Sequence, residues 1–420
     1  MDKVFLGSFG TRIILLAVGF LTSVTLARLF GAAAVGEMSL VVALLVLTSH
    51  ISLFGSQTTI LKRLPVRDYE SQNETLGPAF LTTSVLGIAV GIILLILDKL
   101  GMLGSYAQLG NSFIFLLPAM VLANAYRVLA LETLRGLQKI RTYNAVSPLV
   151  AISILVAVIS VYLAGGKYIN LPIIIFTTEI IFLVIVGTLF LRIPGRPRVD
   201  FRFGRAVLFR YVRVSFIFFL SGSSIIIGQL DVLVAGYFLP VGDVGVYAIS
   251  VRLAALVGLV LASANISFAP NVAGIFQNEG IHATLSLARA QTRMIVPLTA
   301  AMGFFVAATG YFFLGVFGSP FLAAYPALLI LIAGQVLAVL FGPVGIFLNM
   351  TMGQRDMLIV TLGALGAGLL STYLLIPDFG LTGAALANLL TLVVRNLLAT
   401  IFIYRRTGTA ISVFHAWRGQ

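Results

Sequence analysis

The chain has no cysteine, three histidines and one tryptophan in 420 residues. No cysteine means no disulfide framework, no thiolate nucleophile and no thiolate-bound metal. Three histidines also exclude a histidine-rich metal cluster. Charge is scarce: Asp and Glu number 14 against 27 Lys and Arg, and charged residues make up 10% of the chain, where soluble domains carry about 25%. Three enzymatic signatures are missing as well: a Gly-rich nucleotide loop with lysine, a Ser/His/Asp cluster, and paired carboxylates on an exposed loop. The expectation is a protein without catalysis of its own.

What fills the chain is apolar. Hydrophobic residues make up 60% and the mean hydropathy is +1.08, leaving no room for a sizeable soluble domain. A hydrocarbon core about 30 Å thick needs roughly 20 apolar residues per spanning helix, with every backbone group bonded internally. Twelve such runs can be marked, near 11–30, 37–60, 76–97, 111–133, 144–164, 169–191, 213–239, 244–269, 292–315, 326–350, 357–376 and 380–404. Pro118, Pro270 and Pro343 lie deep enough in their runs to suggest kinks. The expected fold is an all-α polytopic membrane protein.

Basic residues orient it. With the N-terminus in the cytoplasm, only Lys99 and Lys167 fall on the outer side, and Arg28, Arg127, Arg252 and Arg395 lie inside runs; every other Lys and Arg is cytoplasmic. This lopsided alternation follows the positive-inside rule and puts both termini in the cytoplasm. It also accounts for the net charge of +13, which attracts anionic membrane lipid; no basic domain is present to bind nucleic acid. The first run has the flanks of a signal peptide, with Lys3 and Arg12 before it and Ala32-Ala33-Ala34 after. A repeat argues for retaining it.

That repeat is a turn. Leu26-Ala27-Arg28-Leu29-Phe30-Gly31, followed by Val35-Gly36-Glu37-Met38, returns half a chain later as Val234-Ala235-Gly236-Tyr237-Phe238-Leu239, followed by Val244-Gly245-Val246-Tyr247. Two similar apolar halves read as a two-lobed transporter: residues 1–200 with helices 1–6, residues 201–420 with helices 7–12, and a Pro- and Arg-rich cytoplasmic linker at about 192–213. Six helices per half make the repeats parallel in topology. One such chain holds both lobes, so a monomer suffices.

A charge near the bilayer centre needs a pairing partner or a wet cavity. Arg252 lies about two turns into helix 8, and Arg395 roughly 15 Å from the cytoplasmic end of helix 12 at 1.5 Å per residue. Each reads either as lining a cavity or as locked in a structural pair. Arg28, near the outer end of helix 1, reads as functional or as snorkelling to the interface. Arg127 is expected to pair with Glu132. Asp231 in helix 7 reads as a site for a coupling cation or proton, or as the neutraliser of an arginine. Glu179 reads as structural, and Asn124, Asn265, Gln335, Asn349 and Asn388 as hydrogen-bonding glue between helices or as sugar ligands. His50 is either protonated during a cycle or bonded to a helix carbonyl. As a group, buried guanidiniums suit phosphate, which they hold bidentately without losing charge. A site for cationic drugs would favour acids and aromatics.

These residues carry a resemblance. The first turn, the second-half Leu230-Asp231 with Gly245-Val246-Tyr247, and the closing Gly353-Gln354-Arg355 with Ile376-Pro377-Asp378-Phe379-Gly380-Leu381-Thr382-Gly383-Ala384-Ala385 resemble the polysaccharide biosynthesis transporters. That family belongs to the multidrug/oligosaccharidyl-lipid/polysaccharide flippase superfamily. The resemblance implies two pseudo-symmetric six-helix lobes around a central cavity lined by helices 1, 2, 7 and 8, which bears on Arg28, His50, Asp231 and Arg252. It implies a flippase of the bacterial cytoplasmic (inner) membrane that moves an undecaprenyl-pyrophosphate-linked oligosaccharide outward for O-antigen, capsule or exopolysaccharide synthesis, alongside polysaccharide assembly proteins. Arg28, Arg252, Arg395 and His50 would take the head group. Asp231 matches the place of an acid that contributes to a cation site in related peptidoglycan-precursor flippases, although no buried acid accompanies it on helices 11 and 12. No cofactor is expected beyond a coupling sodium ion or proton. The alternatives are a cation-coupled multidrug antiporter of the same architecture and, from another class, a membrane glycan polymerase or ligase.

Overall fold

The computed structural model describes residues 3–65, 69–100, 111–166, 171–192, 199–222, 224–351 and 354–413. Arg67, Lys167, most of the linker's Pro and Arg residues (193–198), Gly353 and Arg418 lie outside the described residues. Among the described residues twelve α-helical stretches follow in order: α1 (Lys3–Leu53), α2 (Ser56–Arg63), α3 (Tyr69–Lys99), α4 (Asn111–Gly136), α5 (Ile140–Leu163), α6 (Leu171–Leu191), α7 (Arg205–Gly222), α8 (Ser224–Phe238), α9 (Val241–Phe317), α10 (Tyr325–Leu340), α11 (Val344–Thr351) and α12 (Gln354–Thr407). A 3₁₀ turn, Ser319–Ala324, precedes α10. No strand occurs among the described residues.

The longest elements are too long for single crossings of a core that takes roughly 20 residues, and each is broken at one glycine. Gly31 (φ 84°) divides α1, Gly280 (φ 81°) divides α9, and Gly380 (φ 54°) divides α12. A side chain there would force a residue with a Cβ into the left-handed region. The breaks fall between the first and second and between the eighth and ninth apolar runs, and at the first residue of the twelfth. Pro118 and Pro270, where kinks were expected, sit inside continuous helix; Pro343 does lie at a break, between α10 and α11, beside Gly342 (φ 80°). The seventh run is described as α7 and α8, and residue 223 between them lies outside the described residues.

Nine helices among the described residues are long and apolar enough to cross a membrane, and their outward faces are greasy. On α6, Ile180, Ile181 and Val184 are 40%, 54% and 60% exposed. Such a surface suits hydrocarbon and not water. Many hydroxyls within the spans bond back to their own helices, as Thr48 does to the Leu44 carbonyl (2.6 Å) and Thr372 to the Gly368 carbonyl (2.7 Å). The protein is a multi-pass membrane protein.

The chain divides into two compact units, Met1–Gln229 and Leu230–Gln420. The first therefore takes in α7, beyond the lobe boundary expected at residue 200. The cause is local. Gly55 (φ 79°) forms the elbow between α1 and α2, and a Cβ there would fall on the Ser215 carbonyl oxygen and within 2.6 Å of the Phe219 nitrogen. Across that close approach Thr59 and Ser215 share a hydrogen bond of 2.9 Å, Phe54 stacks on Phe216 and Phe219, and Lys62 lies over the Phe218 ring. In the second unit α10 packs on α9 and α12. There Phe347 and Leu348 of α11 pack in a core with Leu285 of α9 and Ile403 of α12.

Candidate functional site

In the second unit the structure gathers polar atoms around Asp231 of α8. Its Oδ2 accepts a hydrogen bond from Asn388 Nδ2 at 2.8 Å and lies 3.3 Å from the Tyr247 hydroxyl of α9; its Oδ1 accepts from the Val232 N–H at 2.9 Å. Tyr247 is fully buried and stands equally close, 3.3 Å, to the Ala384 carbonyl oxygen. The single phenolic proton can serve either acceptor, while Asn388 and the backbone hold the carboxylate. Among the described residues no cation is a hydrogen-bond partner of Asp231, so the reading in which it neutralises an arginine finds no geometric support there.

The sequence explains why α12 reaches this site. Gly380 breaks the helix, and at Gly383 a Cβ would strike the Leu375 carbonyl, so the chain comes back on itself at a distance only glycine permits. Ala384 and Ala385, at 2% and 0% exposure, then pack closely, and Asn388 follows Ala384 by one helical turn. The apolar motif Gly-x-x-Gly-Ala-Ala thus positions a carbonyl and an amide for Asp231. Asn388 Oδ1 is buried without a hydrogen-bond partner.

Arg395 lies two turns beyond Asn388 on the same face of α12. It is half-buried and has no hydrogen-bond or ion-pair partner among the described residues. Arg252, five residues past Tyr247 on α9, is exposed on its unit.

In the first unit, Arg28 is exposed three residues before the break at Gly31. His50 is 4% exposed and stacks on Phe219 with ring centroids 5.4 Å apart, and its Nε2 makes no hydrogen bond. Beside it runs a buried polar chain: the Ser49 hydroxyl donates to Asn124 Oδ1 (2.9 Å), Asn124 Nδ2 to Glu179 Oε1 (3.1 Å), and Arg127 Nε to Glu179 Oε2 (2.6 Å). Arg127 therefore pairs with Glu179 on α6, and the expected pair with Glu132 does not form. Five residues separate Arg127 from Glu132, which puts them on different sides of α4. Glu132 instead binds Arg135, three residues on, with both oxygens at 2.9 Å. Asn124 and Asn388 both join helices, as the glue reading has it.

Sequence reasoning passed over two buried polar residues, one of them a partner of Asp231. Tyr247 was visible only as part of the repeated turn. Glu37, one residue past Gly36 in the same motif, is 9% exposed with no hydrogen-bond or ion-pair partner among the described residues; its sole signal was a carboxylate inside an apolar run. No group of three His, Cys, Asp or Glu suited to a metal occurs among the described residues.

Fold and sequence place the chain. Its architecture matches solved structures of the MOP superfamily. One is an inward-facing multidrug resistance MATE family transporter (TM-score 0.71, 14% identity, 100% of both chains). A second is the lipid II flippase MurJ in an inward closed conformation (TM-score 0.69, 11% identity, 95% of this chain and 87% of that one). A third is a MOP superfamily transporter from Pyrococcus furiosus, described as having a binding pocket of reverse polarity (TM-score 0.55, 15% identity, 96% and 95%). The chain has the fold of these proteins. Residues 7–276, well over half its length, match the family model of the polysaccharide biosynthesis proteins, and the chain belongs to that family. No curated protein sequence matches it.

Proposed function

We propose that this protein is a transporter and not an enzyme, and that it flips an undecaprenyl-pyrophosphate-linked oligosaccharide outward across the bacterial cytoplasmic membrane. Membership of the polysaccharide biosynthesis family and the fold it shares with a lipid II flippase support the class of cargo. The observation that carries the reading is Arg395: a half-buried guanidinium in an apolar helix with no partner of its own among the described residues. An ion in that setting is expensive unless something anionic visits it, and a guanidinium matches a pyrophosphate oxygen pair. Arg252 and Arg28 supply further positive charge, with His50 as a head-group contact. The lipid tail stays in the bilayer, and transport needs no bond to break. Both termini are cytoplasmic by the distribution of Lys and Arg.

Asp231 is the coupling site. It ties α8 to α9 and α12 through Tyr247 and Asn388, so a change in its charge alters how three helices are held together. Charged, it accepts three donors. Protonated, it loses one acceptor position and gains a donor, which an amide flip of Asn388 would meet with its unpartnered Oδ1. A proton therefore has a differential interaction with the two arrangements, which any conformational bias requires. Sodium bound by the carboxylate is the competing form of the same idea.

The test is complementation of a strain lacking its own flippase. Arg252→Ala and Arg395→Ala should reach the membrane at normal abundance and fail to restore surface polysaccharide, with the lipid-linked intermediate accumulating inside. Full restoration by the double variant would remove the phosphate-carrier reading. Protection from cationic drugs with no effect on polysaccharide would turn it to a multidrug antiporter.

A further inference from the structure

We propose that a groove in the first unit, on α4 between α3 and α6, is a binding site for one hydrocarbon chain of an anionic phospholipid. The proposal goes beyond the transport reading and rests on a different part of the molecule.

The groove arises from helix packing. α3 and α6 each pack along α4 and make little contact with one another, which leaves a gap floored by α4. Tyr126, Ala130 and Thr133 form the floor at helical spacing, Leu183, Gly187 and Phe190 form one wall, and Phe80 forms the other. The cavity measures ≈ 280 Å³, at the small end of ligand clefts, which start near 300 Å³. That is room for a stretch of chain and not for a glycan.

Its chemistry is hydrocarbon. The only side-chain polar atoms among its lining are hydroxyls, and both are already engaged: Tyr126 with the Ser84 hydroxyl at 2.5 Å, and Thr133 with its own helix at the Leu129 carbonyl, 2.7 Å. A sugar or a water would find no unmatched partner there. Gly187 widens the wall, because a Cβ on it would meet nothing within 4 Å. The same helix presents Ile180, Ile181 and Val184 outward, so the medium along this helix is lipid.

Charge selects the head group. The ends of α4 and α6 lie on the side where basic residues concentrate. Arg192 follows Phe190 by two residues, is exposed, and has no ion-pair partner among the described residues. Arg202 is exposed on the segment whose Asp200 carbonyl abuts Gly77, one turn before Phe80; Asp200 Oδ1 accepts the Arg202 backbone N–H at 2.8 Å. Arg135 is also there, but Glu132 neutralises it. Two exposed arginines, one two residues past the lining Phe190 and one on the segment that abuts α3 a turn before the lining Phe80, match a phosphodiester whose chain lies in the slot.

Native mass spectrometry of the full-length protein, released from detergent with dioleoyl phosphatidylglycerol or dioleoyl phosphatidylcholine, tests this. The wild type should retain one phosphatidylglycerol more firmly than phosphatidylcholine. Gly187→Leu, which fills open space and improves helix propensity, should weaken that retention about tenfold or more. Leu183→Trp should do the same by another route. The Arg192→Ala/Arg202→Ala pair should abolish the preference for phosphatidylglycerol while the protein stays folded by size exclusion. Unchanged retention in both groove-filling variants would overturn the proposal. Displacement of phosphatidylglycerol by a lower concentration of undecaprenyl phosphate would overturn it in favour of a groove for the carrier lipid.

Discussion

Asp231 sits in an apolar helix because three donors reach its carboxylate from α8, α9 and α12. Replacing it with Asn keeps the shape and removes the charge change. Asp231→Asn should flatten the dependence of transport on pH or sodium; retention of the wild-type dependence would dismiss it as the coupling site. The Arg127–Glu179 pair is of another kind. With Glu179 at 4% and Arg127 at 21% side-chain exposure, Glu179→Gln leaves a half-buried guanidinium uncompensated and should cost about 3 kcal/mol of unfolding free energy in detergent. Glu132→Gln, whose partner Arg135 is 41% exposed, should cost less than about 1 kcal/mol. Equal losses would show that burial does not set the value of these pairs. At this scale the sequence showed which polar residues were deep: Asp231, Arg395 and the helix-joining Asn124 and Asn388. It did not show their partners. Glu179 meets Arg127 through tertiary packing of α4 and α6, and a pairing of that kind leaves no mark in local spacing.

Among the elements, the long helices are interrupted at single glycines with positive φ. A proline in a spanning helix deletes one backbone bond, which neighbouring groups can re-satisfy, whereas a glycine at positive φ lets the helix stop. Gly31 was legible because it recurs as a turn; its counterpart in the second half is the Leu239-Pro240 step between α8 and α9. Gly280 was not, because the helix runs on through Gln277-Asn278-Glu279 beyond the apolar run before it breaks. Gly55 offers the sharpest test of element packing. Gly55→Ala meets both a positive φ and the backbone of α7, and should destabilise the first unit by about 2 kcal/mol or more. Thermal unfolding in detergent reads it, and a melting temperature equal to wild type would mean α7 does not dock on the α1–α2 elbow.

For the whole molecule, composition and charge asymmetry were enough to identify a multi-pass helical membrane protein, and short motifs were enough to suggest the family that residues 7–276 now establish. The cargo was not legible, since specificity for a glycan lies in the shape of a binding surface and in no local pattern of residues. What the sequence did carry is the sign of the charge: arginines inside spans, of which Arg395 has no hydrogen-bond or ion-pair partner among the described residues. The decisive measurement is a flipping assay in proteoliposomes loaded with a labelled undecaprenyl-pyrophosphate oligosaccharide, with access of an external reagent to the label as readout. The account predicts that the wild type moves the label between leaflets and that Arg252→Ala/Arg395→Ala does not. Equal movement by the double variant, or none by the wild type, would contradict it.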